Sequence, residues 1–383
     1  MKDNIIEFIR DHYQTKDFIP LHEPRFDDRE SELVLSTIQS TFVSSVGKYV
    51  DEFENGLKDY TKSTKAIAVV NGTSALYAAL YHCGVGINDI VITQALTFVA
   101  TANAVSQLNA KCAFVDVSKD TLGMCPYSLA EFLDNNAMLK EDNKCYLKST
   151  GQQIKAVVPM HTFGHPVEID KIAEVCEKWY LNLVEDAAES LGSCYKGQHT
   201  GTFGRYGAIS FNGNKIITTG GGGAILCSSE KDGVELKHLT TTAKQPHPYK
   251  FFHDKSGFNF RMPNLNAALG CAQLEKLPDF VINKRELAKE YESLFLNSPY
   301  LFVKEPKNAH SNYWLNAVVC DDINARNDLL EYTNKNGVMT RPVWELMTEL
   351  PMYENCITSS LENSHWFAQR LVNIPSSALL DSL

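Results

Sequence analysis

The sequence contains no long apolar run, since no stretch approaches the roughly 18 consecutive apolar residues of a membrane-spanning helix. The N-terminal segment is charged throughout and lacks the apolar core of a signal peptide. The cysteines are scattered without a CxxC pair, and their spacings fit neither a zinc site nor a disulfide framework. We therefore expect a cytoplasmic protein with reduced thiols that binds no metal and does not associate with membranes.

Positive charge is also scarce, because 36 lysines and arginines stand against 46 aspartates and glutamates and leave a formal net charge of −10. Nucleic-acid binding requires a basic surface, so we expect no nucleic-acid partner. An anionic ligand must instead be held by local groups. The chain also lacks the GxGxxG dinucleotide fingerprint and the GxxxxGK(S/T) phosphate loop, which argues against two common kinds of nucleotide site.

Short apolar runs alternate with helical patterns from residue 65 onwards. The runs cover residues 65–70, 89–94, 111–117, 154–161, 181–187, 206–211 and 223–228, and helices are predicted between them at 74–85, 97–109 and 170–181. Several runs are unbroken, as in strands of a parallel or mixed sheet that is covered on both faces. The pattern predicts an α/β fold with helices on both sides of the sheet.

The pattern changes near residue 270. One long helix is predicted over 264–297 with a bend at Pro278, followed by a strand over 312–320 and a helix over 325–337. We therefore predict three parts of the chain. They are a helical extension of residues 1–18, a large domain of residues 19–270 and a smaller C-terminal α+β domain of residues 271–383.

Lys215 is the one cation in a glycine-rich loop between two predicted strands, within SFNGNKIITTGGGG. Glycines let the backbone approach a ligand closely. For an isolated lysine, however, the simpler interpretation is a solvated surface residue. The functional interpretation therefore depends on what the ends of the neighbouring strands carry.

Other ligand-binding groups follow the predicted strands, at the sheet edge where open α/β folds bind ligands. Residues 71–74 (NGTS) open a helix whose free N–H groups suit a phosphate, unless Thr73 or Ser74 only caps the helix. Asp186 can pair with a cationic ring nitrogen or cap a helix. Phe98 can offer a ring face to a planar ligand or lie in the core.

One cofactor requires this whole combination, namely pyridoxal 5′-phosphate (PLP). Its aldehyde binds a lysine covalently, its protonated ring nitrogen pairs with an aspartate, and its phosphate accepts hydrogen bonds from N–H and hydroxyl groups. Each feature alone is ambiguous. Together, at successive strand ends, they predict a PLP enzyme.

The order of the motifs resembles one family. NGTSAL, EDAAES, GTFG, SFNGNK and GFNFRMP are similar to the motifs of the DegT/DnrJ/EryC1/StrS nucleotide-sugar aminotransferases, and the resemblance runs from about Ile19 to the C-terminus. It implies the aspartate-aminotransferase-like fold, which is fold type I of the PLP-dependent transferases, with a central, mostly parallel sheet in the large domain. It also implies a homodimer with active sites at the interface.

The resemblance implies roles for residues of this chain. Lys215 would bind the cofactor covalently and carry the proton that moves during transamination, while Asp186 would pair with the pyridine nitrogen and Phe98 would stack on the ring. The phosphate contacts would come from Gly72, Thr73, Ser74 and Ser210, joined by Asn259 of the other subunit.

Other positions bear on the details of the site. Glu189 stands near the cofactor where the family often has glutamine, and Gly220–Gly223 replaces a commoner GEGG, but neither departure argues against transamination. His161 and Arg341 are candidates for contact with the substrate. A guanidinium matches phosphate geometry, although Arg341 can equally form a surface ion pair with Glu345.

Four segments indicate a subgroup of the family. IPLHEPRF, STFVSSVGKYVDEFE, SFNGNKIITT and RPVWELMTELPMY are most similar to enzymes that aminate C4 of UDP-4-keto-6-deoxy-N-acetylglucosamine with glutamate as donor, in the legionaminic acid and bacillosamine pathways. We therefore expect a nucleotide sugar and an amino-acid donor as partners. The alternatives are GDP-4-keto-6-deoxymannose, which gives perosamine, a dTDP-linked keto-sugar, or a PLP-fold protein that binds its ligand without turnover.

Overall fold

The computed structural model describes residues 1–379. In them the helices are α1 (Lys2–Tyr13), α2 (Asp28–Ser40), α3 (Lys48–Thr61), α4 (Gly72–His82), α5 (Val99–Gln107), α6 (Pro126–Asn136), α7 (Ile169–Lys178), α8 (Glu230–Thr240), α9 (Asn264–Leu294), α10 (Ile323–Lys335) and α11 (Glu362–Ala368). None of these helices combines the length and the apolar character that crossing a bilayer requires.

The strands in the same residues are β1 (Lys65–Val69), β2 (Ile90–Gln94), β3 (Lys111–Val115), β4 (Ala137–Leu139), β5 (Cys145–Leu147), β6 (Gln153–Val158), β7 (Asn182–Asp186), β8 (Cys194–Tyr195), β9 (Gln198–His199), β10 (Tyr206–Ser210), β11 (Gly223–Cys227), β12 (Leu301–Phe302), β13 (Ala309–His310), β14 (Asn316–Val319), β15 (Arg341–Pro342), β16 (Ile357–Thr358) and β17 (Leu371–Ile374).

A ten-stranded sheet with the spatial order β1-β11-β10-β7-β6-β2-β3-β16 forms the centre of the molecule, and β4 and β5 extend it beside β6. Every neighbouring pair from β10 to β16 is parallel, whereas β11 is antiparallel to both β1 and β10. All five residues of β2 are buried, as in a sheet covered on both faces. The predicted α/β fold with a mostly parallel sheet is confirmed.

The seven apolar runs all form strands of this sheet, and most boundaries differ from the prediction by only one or two residues. The long helix α9 is also present and runs through Pro278. The short strands β4, β5 and β16 escaped prediction because runs of two or three residues carry no periodic signal.

At three places the structure is continuous across the predicted division of the chain. The boundary at residue 270 falls inside α9, and β16, from the C-terminal part of the chain, pairs with β3 at the edge of the main sheet. In α1, Ile5 and Ile9 are buried against Tyr291 of α9 and its neighbours, so residues 1–18 include a packed helix. A second, antiparallel sheet with the order β12-β14-β17-β15 follows α9. The three-part division itself stays a prediction.

Candidate active site

The carboxyl ends of β1, β7 and β10 lie at one edge of the main sheet. Val69 at the end of β1 and Ser210 at the end of β10 both pair with Gly223 at the start of β11. The two strand ends therefore flank β11 at the same level of the sheet. A cavity of about 320 Å³ opens at this edge, within the usual size of small-ligand sites. It brings together seven predicted site residues, namely Gly72, Thr73, Phe98, Asp186, Glu189, Ser210 and Lys215.

The N-terminus of α4 forms one end of the cavity. The Asn71 side chain caps the helix by accepting the N–H of Ser74 at 2.7 Å. The hydroxyls of Thr73 and Ser74 therefore do not cap this helix. Thr73 lines the cavity, whereas Ser74 does not. The turn therefore presents the helix N-terminus and a hydroxyl to the cavity, which suits an anion such as phosphate.

Close approach between backbones shapes this end of the cavity. A Cβ on Gly223 would lie 2.5 Å from the carbonyl carbon of Asn71 and 2.7 Å from the nitrogen of Gly72. A Cβ on Gly72 would lie 3.0 Å from the Cβ of Ser210. Glycine at both positions therefore lets the start of α4 sit against the end of β10 and the start of β11.

Asp186 is the last residue of β7 and is buried. Its Oδ2 accepts a hydrogen bond from the Thr101 hydroxyl at 2.6 Å, and its Oδ1 accepts the N–H of Ala188 at 3.2 Å. Burial raises the pKa of Asp186, and the hydrogen bond from Thr101 opposes this shift. A cationic partner in the cavity would stabilise the carboxylate, which is what a protonated pyridine nitrogen provides.

Lys215 follows β10 and points into the cavity. Its side chain is only 12% exposed, so it is not a solvated surface residue. The ammonium lies 3.3 Å from Oε1 of Glu189 and 4.0 Å from the centroid of the Trp314 ring. A cation over an indole face gains from the ring quadrupole. The loop thus holds its lysine against one carboxylate and one aromatic face.

Glu189 lies three residues after Asp186 and is also buried. Its Oε2 accepts the N–H of Phe163 at 2.9 Å, while Oε1 faces Lys215. Burial raises the pKa of Glu189 to about 7, against the opposing effect of the Lys215 charge. Burial therefore favours the neutral form of this side chain more than it would for an exposed glutamate.

Aromatic side chains also line the cavity. Phe98 is 47% exposed and lines the cavity, so the alternative that it belongs to the core is wrong. Its ring centroid is 6.0 Å from that of Trp344, which in turn lies 5.3 Å from Phe163. Sequence reasoning missed Trp314 and Trp344 as site residues because they come from distant parts of the chain. Trp314 stands between Tyr313 and Leu315, and Trp344 between Val343 and Glu345, so neither carries a local signal of a ligand site.

Besides Ser74, three predicted site residues do not line this cavity, namely His161, Arg341 and Asn259. His161 is fully buried, with Nε2 at 3.0 Å from Glu185 and Nδ1 accepting the N–H of Val167 at 3.2 Å. This position does not favour direct contact with a substrate. Arg341 lies exposed on β15, and no ion pair with Glu345 forms in residues 1–379.

Asn259 is exposed on a segment that bridges to Thr241. It does not line the cavity of its own chain. This position is compatible with the predicted contact between Asn259 and the phosphate in the other subunit. That contact stays a prediction.

The chain as a whole matches a known family. A profile of the DegT/DnrJ/EryC1/StrS aminotransferase family covers residues 24–382. The chain belongs to this family. It is 33% identical to the GDP-perosamine synthase of Escherichia coli O157:H7 over 363 residues, which are 94% of this chain and 93% of that protein. It is 32% identical to the GDP-perosamine synthase of Vibrio cholerae over 367 residues, 94% of each protein.

A solved structure shares the fold. The PLP form of Spr1654 from Streptococcus pneumoniae matches with a TM-score of 0.85 at 22% identity, over 95% of each chain. As a member of the DegT/DnrJ/EryC1/StrS family, the protein is a PLP-dependent sugar aminotransferase. The cavity fits this cofactor, because a lysine, a buried aspartate, an exposed aromatic ring and a helix N-terminus face one space.

Proposed function

We propose that this protein transfers an amino group from an amino acid to C4 of a nucleotide-linked 4-keto-6-deoxy sugar, with Lys215 and Asp186 as its catalytic residues. The observation that carries the proposal is the position of Lys215. Its largely buried ammonium reaches the cavity that Asp186 and the start of α4 also line.

Each side chain has a chemical task in this proposal. Bound PLP supplies an electron sink for the substrate carbon. Asp186, as a carboxylate, holds the proton on the pyridine nitrogen. Lys215 would anchor the cofactor and, as a free amine, would carry a proton to and from the donor carbon. Phe98 would support the ring face, while Gly72, Thr73 and Ser210, which line the cavity, would hold the phosphate. The predicted phosphate contact of Ser74 stays a prediction.

The relatives favour a GDP-linked substrate. The two relatives described above are GDP-perosamine synthases and align with nearly the whole chain, which supports the alternative GDP-4-keto-6-deoxymannose over the UDP-linked sugar. The UDP-linked N-acetyl sugar is kept as the second candidate because of the four subgroup-like segments. The legionaminic acid and bacillosamine pathways stay predictions.

A substrate panel tests this proposal. Purified protein is incubated with PLP, glutamate and equal concentrations of GDP-, UDP- and dTDP-linked 4-keto-6-deoxy sugars, and the products are followed by mass spectrometry. We expect a product in which NH₂ replaces the keto oxygen at C4, formed fastest from the GDP-linked sugar. Faster amination of the UDP-linked sugar would contradict the GDP assignment, whereas no amination of any sugar would contradict the proposed function.

Subunit mixing tests the shared active site. Lys215→Ala and Asn259→Ala should each lose most activity as pure proteins, because each removes one residue from both sites of a two-fold dimer. A mixed dimer should regain one intact site, so co-refolded mixtures should recover roughly a quarter of wild-type activity if chains pair at random. Mixtures that stay inactive, or a fully active monomer by light scattering, would contradict the shared site.

A further inference from the structure

The carboxylate of Asp186 has one short contact with a hydroxyl group. Its Oδ2 accepts a hydrogen bond from Oγ1 of Thr101 at 2.6 Å, whereas Oδ1 accepts the N–H of Ala188 at 3.2 Å. A distance of 2.6 Å is typical of a hydroxyl that donates to a charged oxygen. Thr101 and Asp186 are both buried, and of the two only Asp186 lines the cavity. The hydroxyl therefore holds the carboxylate without occupying the space of a ligand.

A second hydroxyl fixes the direction of this contact. An ionised carboxylate only accepts hydrogen bonds, so Thr101 must donate its single hydroxyl proton to Asp186. Oγ1 of Thr101 also lies 2.8 Å from Oγ1 of Thr97, and the donor of that bond is therefore Thr97. The nearest other acceptor for Thr97, the sulfur of Met160 at 2.9 Å, is a weak one. The two hydroxyls thus form a chain that ends on the carboxylate, and each bond polarises the next.

We propose that Thr101, oriented by Thr97, is a positioning residue that keeps Asp186 ionised, so that the proton between its carboxylate and the ring nitrogen of bound PLP stays on the nitrogen. The N–H bond of the ring is kept, and no O–H bond forms on Asp186. No other reactant takes part. The inference rests on the proposed role of Asp186, and it is independent of which sugar is aminated.

Two arrangements of this proton compete. In one the ring is cationic and the carboxylate is anionic, and in the other both groups are neutral because the proton has moved to the carboxylate. Removal of water favours the neutral pair, whereas a hydrogen bond donated to the carboxylate favours the ion pair. Burial raises the pKa of Asp186 and the hydrogen bond from Thr101 lowers it, so the hydroxyl acts against the effect of burial. Without the hydroxyl, the ring loses part of the positive charge that makes it an electron sink.

Neighbouring charged groups do not take over this task. Lys215 directs its ammonium to Glu189 at 3.3 Å, and in the proposed function its nitrogen anchors the cofactor. His161 donates its main-chain N–H to the carbonyl oxygen of Asp186, while its ring contacts a different carboxylate. Within residues 1–379, no side chain other than Thr101 donates a hydrogen bond to the Asp186 carboxylate.

Nuclear magnetic resonance tests the proposal without turnover. The protein is loaded with PLP that carries ¹⁵N in the ring, and the chemical shift of this nitrogen distinguishes a protonated from a neutral pyridine. Wild-type protein should show the protonated value. Thr101→Val keeps the shape of the side chain but lacks the hydroxyl, so its shift should move towards the neutral value. Its half-reaction with glutamate, per bound cofactor, should slow by at least about tenfold, because a hydrogen bond to a charged group is lost.

Matched variants separate the hydroxyl from the packing. Thr101→Ser restores a hydroxyl and should keep the wild-type shift and rate. Thr93→Val is the control, since Thr93 is also buried and donates a hydrogen bond of 2.7 Å, but to the carbonyl oxygen of Val158. It should leave the shift unchanged. Thr101→Ala also removes the hydroxyl and suits helix α5, so it repeats the test if Thr101→Val does not fold.

Three outcomes would overturn the proposal. They are an unchanged shift in both variants that lack the hydroxyl, an equal change of shift in Thr93→Val, and a Thr101→Ser variant that loses the protonated shift as Thr101→Val does. A neutral ring in the wild type would refute the proposed role of Asp186, and this inference with it. The wild-type spectrum therefore distinguishes failure of the proposed function from failure of the inference alone.

Discussion

Replacing Lys215 by alanine is expected to abolish turnover and covalent attachment of PLP. The variant removes the only lysine that lines the cavity in residues 1–379. Both the anchor for the aldehyde and the group that moves the proton are then lost. A positioned acid–base group alone contributes about 10²–10⁴-fold to a rate, so we expect kcat to fall by about 10⁴-fold or more.

Two measurements check this expectation. Wild-type protein should be yellow, and borohydride reduction followed by peptide mapping should place the cofactor on the peptide that contains Lys215. Lys237→Ala is the matched control, since Lys237 also pairs with a largely buried glutamate, Glu54, but lies outside the cavity. It should keep the cofactor and the activity. Labelling of any other lysine, or a Lys215→Ala variant that turns over at a wild-type rate, would refute the assignment.

The sequence predicts candidate site residues where a residue type suited to the cofactor stands at or just after the end of a strand. Asp186 and Ser210 end their strands and Lys215 follows one, and the parallel arrangement of β7 and β10 places all of them at one sheet edge. Local patterns therefore predicted residues that share one cavity, because a parallel sheet converts separate strand ends into neighbours.

Other parts of the site depend on contacts between distant segments. Trp314 covers Lys215 from a segment about a hundred residues later, and Thr101 reaches Asp186 from α5. No spacing within the sequence reports such pairs. Phe98 follows β2 and lines the cavity, whereas His161 follows a strand equally closely and turns inwards to Glu185.

The sequence alone could not predict the proton affinity of Glu189 either. Its residue type predicts an ordinary carboxylate, yet burial between β7 and the segment at Phe163 raises its pKa to about 7. Proton affinity depends on how much water the fold removes and on which charges remain nearby. Those quantities exist only once the chain is packed.

Asp186→Asn is expected to retain PLP but to lose most activity. Lys215 and the start of α4 remain in place to hold the cofactor, whereas a neutral amide cannot keep a proton on the ring nitrogen as a carboxylate does. Asparagine preserves the size of the side chain, and its carbonyl can still accept the Thr101 hydrogen bond that is now 2.6 Å long. The loss should therefore be electrostatic, and we expect it to reach about 10²–10³-fold in kcat.

The measurement is the rate of the first half-reaction with glutamate, divided by the PLP content of each sample. Asp116→Asn serves as the control, because Asp116 also follows a strand of the main sheet and is largely buried, but its carboxylate binds the N–H groups of Asn363 and Ser364 outside the cavity. It should lose stability without changing the rate per bound cofactor. If Asp186→Asn slows the half-reaction by less than about tenfold, a barrier change below about 1.4 kcal/mol, another group holds the ring proton and the role given to Asp186 is wrong.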